Sequence, residues 1–216
     1  MKRKDIAEKV RSSDVGGWNP KTRLGKRVKA GEVTSMQQVL ETGQPILEPE
    51  ITDTLLSDLE SVTVQVKTTQ RVTDSGKRTQ FRIVVVIGDR KGHVGVGVGK
   101  NEELRPALEN AIRNAKKKII FVPTACGSWE CKCSVSHSLP QRATGKEGSS
   151  IVVLKPAPRG LGLAANHVVK KVLAMAGVKD IWGFSSGGRN VYNIAEATIA
   201  ALQSINTLKP QPKVSA

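Results

Sequence analysis

The residues best equipped for chemistry in this chain are Cys126, Cys131, Cys133 and His137, four soft donors packed into one short stretch. Thiolate and imidazole donors of this kind hold zinc in structural sites. Such sites usually pair Cys-x-x-Cys knuckles, however, and the Cys131-x-Cys133 spacing departs from that pattern. Buried structural thiols with no cofactor are therefore the expectation, and a structural zinc at these four residues is the alternative. Three cysteines, an odd number, fit a reducing compartment better than a disulfide framework.

A glycine run, Gly92-His93-Val94-Gly95-Val96-Gly97-Val98-Gly99-Lys100, invites a nucleotide-binding reading and fails its spacing test. A phosphate-cradling loop needs Gly-x-x-x-x-Gly-Lys-Ser/Thr. Here Val94 stands five before Gly99, and Asn101 follows Lys100. A dinucleotide fingerprint fails too, because its third glycine would fall at Lys100. Strict Val/Gly alternation instead describes a strand with one branched apolar face and one bare face that a helix or RNA can approach closely.

No nucleophile stands obviously beside His93, His137 or His167, and the adjacent Glu102 and Glu103 suit a helix start without a catalytic task. No catalytic residues and no small-molecule substrate are expected. Cations are the more informative side chains. Lys77 and Arg78 follow the turn Asp74-Ser75-Gly76, with Arg71 and Arg82 on its flanks, and a mobile turn of this kind can reach a phosphate surface. Lys100 ends the glycine strand. Lys21, Arg23, Lys26 and Arg27 form a comb near the N-terminus. With three Trp, three Phe and one Tyr, broad base-stacking platforms are not expected, so phosphate and shape recognition should dominate.

The 216 residues carry a net charge of +15 and a pI near 10.0, which calls for a polyanionic partner. By segment the balance is +7 over 1–30, −7 over 31–66, +8 over 67–122 and +7 over 123–216. A polyanion should therefore avoid the second segment. The longest apolar run, Ile83–Ile87, is far too short to cross a bilayer, and Met1-Lys2-Arg3-Lys4-Asp5 has no signal-peptide core, so a cytoplasmic protein is expected.

These residues need elements to hold them. Gly16, Gly17, Pro20 and Gly25 break up the first thirty positions, which read as an extended basic arm that orders on its partner. A short helix follows over Thr34–Leu40, ended by Gly43, with a further turn or two around Ile51, Leu55, Leu56 and Leu59. Alternation at Val62, Val64 and Val66, the run Phe81–Ile87, and Val94, Val96 and Val98 predict a three-stranded antiparallel meander. A helix over Glu103–Ile120 should bury Leu104, Leu108, Ala111, Ile112, Ala115 and Ile119 and expose Arg113, Lys116 and Lys117. That order is the order of a double-stranded-RNA-binding-like domain. Beyond Pro123, strands over Cys131–Val135 and Ile151–Leu154, a helix over Gly162–Ala176, a strand over Val178–Trp182 and a helix over Asn190–Ile205 form a second unit. The fold class is α+β, divided as 1–45 (basic arm and short helix), 46–122, 123–206 and a disordered tail over 207–216.

Three ordered motifs resemble one family, the universal small-subunit ribosomal protein S5, in its archaeal and eukaryotic branch. They are Phe81-Arg82-Ile83-Val84-Val85-Val86-Ile87-Gly88-Asp89, Gly95-Val96-Gly97-Val98-Gly99-Lys100, and Pro156-Ala157-Pro158-Arg159-Gly160-Leu161-Gly162-Leu163. The stretch Cys126–Cys133 looks particularly archaeal. The resemblance implies a second domain of the S5 type, a four-stranded sheet with two helices. It also implies binding of small-subunit ribosomal RNA, neighbours S4 and S8, a place near the messenger entry path, and roles in assembly and decoding fidelity. It places RNA contact at Ser75, Gly76, Lys77 and Arg78, and protein contact at Pro158, Arg159, Gly160 and Gly162. Two departures stand out: Leu161 replaces a common threonine, and Lys146–Ser149 lacks a cysteine common in archaeal members. A free double-stranded-RNA-binding module and a phosphotransferase sharing the second fold are the alternatives.

Overall fold

Runs of β-branched residues flanked by glycine turns set up two separate sheets, each covered by a helix that meets a glycine of its sheet through alanine. The computed structural model describes residues 8–9, 18–133 and 135–207. The described chain forms two units. One runs to Phe121 and takes in Lys171–Gly177; the other starts at Val122 and holds the remainder.

The first unit contains β1 (Glu8–Lys9), α1 (Arg23–Lys29), α2 (Met36–Glu41), α3 (Glu50–Leu55), β2 (Glu60–Thr73), β3 (Gly76–Gly88), β4 (His93–Asn101), α4 (Leu104–Lys117) and β5 (Ile120–Phe121). The expected meander is the middle of an antiparallel sheet in the order β1-β2-β3-β4-β5. Opposite Ile83, Val85 and Ile87 stand Gly99, Gly97 and Gly95, so these six share one face of the sheet. Helix α4 lies on that face. A Cβ on Gly95 would sit 2.6 Å from the Ala115 carbonyl oxygen, and one on Gly97 or Gly99 would come closer still to those of Ala111 and Ala107. The bare glycine face is thus a seat for a helix.

Three details differ from expectation. The buried stripe of α4 is Ala107, Ala111 and Ala115, because only a methyl fits against glycine at this separation; Leu104 is 49% exposed, and Leu108 and Ile112 are half-buried. Lys116 is 6% exposed. The helix also stops at Lys117, since Ile120 and Phe121 pair with Val94 and His93 as an edge strand. Finally, the stretch expected as an extended arm is folded from Trp18 onward. Thr22 caps α1 through its side chain, and Leu24 and Val28, one turn apart, enter the same buried cluster as Met36, Val39, Ile51, Ile83 and Val85.

The second half of the chain adds β6 (Ala143–Glu147), β7 (Ser150–Pro156), β8 (Leu163–Ala164), α5 (His167–Ala176), β9 (Ile181–Gly187) and α6 (Val191–Thr207). The sheet order is β6-β7-β9-β8, with β8 parallel to β9. Helix α6 covers β6 and β7. At their contact Gly145 lies under Ala197 and Ala201 with no room for a Cβ, repeating the glycine–alanine seat of the first unit.

Here too the sequence reading needs correction. The described residues of Cys131–Val135 form no strand; among the described residues from Pro123 to Leu139 there is a single pair of strand-like bonds, Ala125 with Ser138, 2.9 Å in both directions. The helix expected from Gly162 starts at His167, because Leu163 and Ala164 pair with Ile181 and Trp182 instead. The strand expected over Val178–Trp182 starts at Ile181, since the Lys179 and Asp180 N–H groups both donate to the His137 carbonyl. Of the tail expected over 207–216, Thr207 closes α6 and the rest lies outside the described residues.

Candidate nucleic-acid interface

Past Phe81 and Asn101, where pairing with β4 ends, β2 and β3 continue alone as a two-stranded ribbon to the turn Asp74-Ser75. Nothing among the described residues covers its end: Val72 is 78% exposed. Such a ribbon is marginal without a packed face. Thr73 Oγ1 donates to the Gly76 carbonyl at 2.9 Å, and Gly76 has φ +126°, a value that favours glycine.

Register decides which cations act together. Arg71 stands opposite Arg78, and Lys67 opposite Arg82, which in turn stands opposite Lys100. Directly opposite residues share a face and repel when like-charged. Lys67, Arg71, Arg78, Arg82 and Lys100 therefore occupy one face of the sheet, the face turned away from α4, with Thr69, Thr73 and Gln80 between them. Arg71, Arg78 and Lys100 line a groove of about 330 Å³ there. Arg78 Nε donates to Glu102 Oε1 at 2.6 Å, an exposed pair. Lys77 pairs with Val72 and so points to the opposite face from Arg78; the two adjacent cations of the turn do not work side by side.

The remaining predicted cations lie on the helical side of the sheet. Lys21, Arg23 and Lys26 are exposed, and Arg27 pairs with Glu32 at 3.1 Å. Glu48 fixes the start of α1: its carboxylate accepts from the Lys21 N–H (2.9 Å), the Thr22 N–H (2.6 Å) and the Trp18 indole (3.0 Å). Burial raises its pKa, but these donors outweigh burial and hold it below the ordinary value. Arg113 is exposed and Lys117 half-buried on α4. Lys116 is no RNA ligand: its ammonium is enclosed 2.6 Å from Asp53, joining α4 to α3. Asp89 likewise serves the β3–β4 turn, accepting from the Lys91 and His93 N–H groups and meeting the His93 ring at 2.6 Å; burial raises its pKa, but the His93 side-chain bond first, and then the two backbone donors, hold it below the ordinary value.

In the second unit the four soft donors do converge. Cys131 Sγ lies 2.9 Å from Cys133 Sγ, Cys133 Sγ 3.4 Å from Cys126 Sγ, and His137 Nε2 3.1 Å from Cys133 Sγ. The hydrogen bond with Cys133 pulls the Cys131 thiol down to about 6 and pushes Cys126 up to about 11. Asp180, which sequence reasoning passed over, accepts from the Gly160 and Gly162 N–H groups at 3.1 and 2.8 Å, and so shapes the Pro158–Gly162 turn. Gly160 and Gly162 both have positive φ. Also missed was an aromatic patch: Trp129 (91% exposed), Trp182 and Phe184 border a depression with Lys155, whose Nζ stands 5.3 Å over the Phe184 ring. Trp182 and Phe184 share one face of β9 by alternation, a signal the scarcity of aromatics hid.

Family models for the N-terminal and C-terminal domains of ribosomal protein S5 match residues 59–123 and 145–214. The small ribosomal subunit protein uS5 of Methanocaldococcus jannaschii is 48% identical over 93% of both chains. Those of Aeropyrum pernix and Hyperthermus butylicus are 48% and 50% identical, over 88% and 86% of this chain and 88% of theirs. The chain belongs to the ribosomal protein S5 family. Ribosomal protein S5 is a structural protein rather than an enzyme, and the two matched S5 domains contain β2 to β5 of the first sheet and most of the second. The named relatives are archaeal, in line with the resemblance carried by Cys126–Cys133. No helix among the described residues is long and apolar enough to cross a membrane.

Proposed function

We propose that this S5-family protein is a structural constituent of the small ribosomal subunit that binds its ribosomal RNA through the cationic face of β2, β3 and β4. The observation that carries this is the in-register stacking of like charges, Arg71 on Arg78 and Lys67 on Arg82 on Lys100. Like charges placed opposite one another repel in the free protein, where Glu102 offsets Arg78, and a polyanion across this face relieves that repulsion. Two further points support the assembly reading. The projecting ribbon lacks packing of its own, and the Pro158–Gly162 turn is held rigid at the surface by Asp180.

In this reading the ribbon tip, Ser75 to Arg78, enters RNA near the messenger path. Pro158, Arg159, Gly160 and Gly162 meet a protein neighbour, S4, with S8 adjacent. The protein supports assembly and decoding fidelity in the cytoplasm by fixing local RNA shape. Sedimentation of tagged chain from cell extract tests the assignment: co-migration with small subunits that survives a high-salt wash is expected. Free migration at the top of the gradient at every salt concentration would overturn it and return the free RNA-binding module to consideration.

A further inference from the structure

We propose that Cys126, Cys131, Cys133 and His137 are the four ligands of a structural zinc ion. One donor atom from each lies within 4.8 Å of all the others. An ideal tetrahedron with zinc–sulfur bonds of about 2.3 Å has edges of about 3.8 Å, so the sulfurs need to part by only a few tenths of an ångström to up to about one ångström to admit the ion. Three sulfurs and one imidazole nitrogen complete four-coordination, leaving no open position for a substrate; this is the donor set of a closed, structural zinc site, not a catalytic one. The Cys131-x-Cys133 spacing counts against zinc only on sequence convention. In the fold, the turn closed by the Cys131 N–H on the Ser128 carbonyl, at 3.3 Å, brings Cys126 to Cys131 and Cys133.

The surroundings are those of a metal site. His137 Nε2 faces the sulfurs, and its other nitrogen, Nδ1, lies 2.9 Å from Asp180 Oδ2, a charge contact rather than an aligned hydrogen bond. A carboxylate behind a histidine in this way fixes the ring and raises its basicity toward a metal. Gly127 permits the tight path, since a Cβ there would collide with the backbone at Leu139 and Pro140.

The loop also needs a staple. From Pro123 to Leu139 its described residues form no helix or strand beyond one bridge, a length at which loops are uncommon without a special role. Trp129 at its apex is exposed rather than buried. Zinc at the base would supply what apolar packing does not, with the thiol protons released on binding. Through Asp180 the same centre would stiffen the Pro158–Gly162 turn.

The test uses the full chain, stripped of nucleic acid in high salt and never exposed to chelator. Elemental analysis should find about one zinc per chain. Replacement by cobalt should give the intense visible bands and sulfur-to-metal charge transfer of a tetrahedral thiolate site, a readout that requires no variant. His137→Cys, which keeps four ligands, should retain the cobalt spectrum, while His137→Ala loses it. Asp180→Asn should weaken zinc by about 10–100-fold without abolishing it. Chelation should speed amide exchange at Gly160 and Gly162. The proposal is overturned by wild-type chain with well under one zinc and a pale octahedral cobalt spectrum, or by a Cys–Cys disulfide in the freshly isolated protein. RNA binding is not needed for any of these outcomes, so the proposal stands or falls apart from the ribosomal reading.

Discussion

Charge and burial conflict most sharply at Lys116, whose formal charge suggests a phosphate and whose position forbids one. Its ammonium and the Asp53 carboxylate are enclosed together, so removing the ammonium leaves the carboxylate buried without its opposite charge. Lys116→Ala should cost about 3–5 kcal/mol in urea unfolding, whereas Lys116→Met with Asp53→Leu should come close to wild type. An unchanged midpoint for Lys116→Ala would show that the pair is not structural. Glu48 poses a different question, that of pH. Its pKa is lowered on folding from an ordinary value of 4.5, so its contribution is complete above that value and is lost as pH falls through the folded value. The stability gap between wild type and Glu48→Gln should therefore be present at pH 7 and close progressively in acid. A gap that persists unchanged well below the carboxylate range would mean that the charge on Glu48 is not what holds α1.

Among the elements, the glycine–alanine seat recurs under α4 and under α6, and it is set by backbone rather than side chains. A Cβ at Gly97 meets the Ala111 carbonyl, and one at Gly145 meets that of Ala197. Gly97→Ala and Gly145→Ala should each cost about 3 kcal/mol or more, as overpacking against an obstacle that cannot rotate away. Trimming the neighbour with Ala111→Gly should not rescue Gly97→Ala, because the obstructing atom remains; rescue would refute the account. This seat also shows what sequence could reveal. Val94, Val96 and Val98 alternating with glycine announced both the strand and its bare face, whereas the helix that fills it was misjudged by its leucines, since hydrophobicity ranks Leu104 above Ala107. The start of α1 was hidden because its apolar stripe is only Leu24 and Val28, and its clamp, Glu48, is distant in sequence. The paired rows of cations were invisible for a related reason: adjacency put Lys77 with Arg78, but strand alternation separates them and joins Arg78 to Arg71. Register is a property of pairing, which a single strand does not display. The four soft donors were legible as residues, but their convergence depends on a loop with no periodicity to read.

At the scale of the molecule, the first unit carries cations on both sides of one sheet. Arg71, Arg78, Arg82 and Lys100 lie on the face away from α4, while Arg23, Lys26, Arg113 and Lys117 lie on the helical side. A straight duplex lying on a flat protein surface would engage one side and leave the other idle. A folded ribosomal RNA that wraps the unit engages both, and each phosphate neutralised adds roughly 0.7–0.9 to the slope of log affinity against log salt. Arg71→Gln with Lys100→Gln should therefore lower that slope by about 1.5–2 for small-subunit RNA, and Arg113→Gln with Lys117→Gln should lower it by a comparable amount. Because the pairs stand on opposite sides of the sheet, the fourfold variant should lose the sum of the two. Filter binding across a salt series reads all three variants. If one pair changes neither slope nor affinity, the RNA lies on a single face and the wrapped arrangement is wrong; if both matter for any duplex offered, the protein reads charge alone and not the shape of its own RNA site.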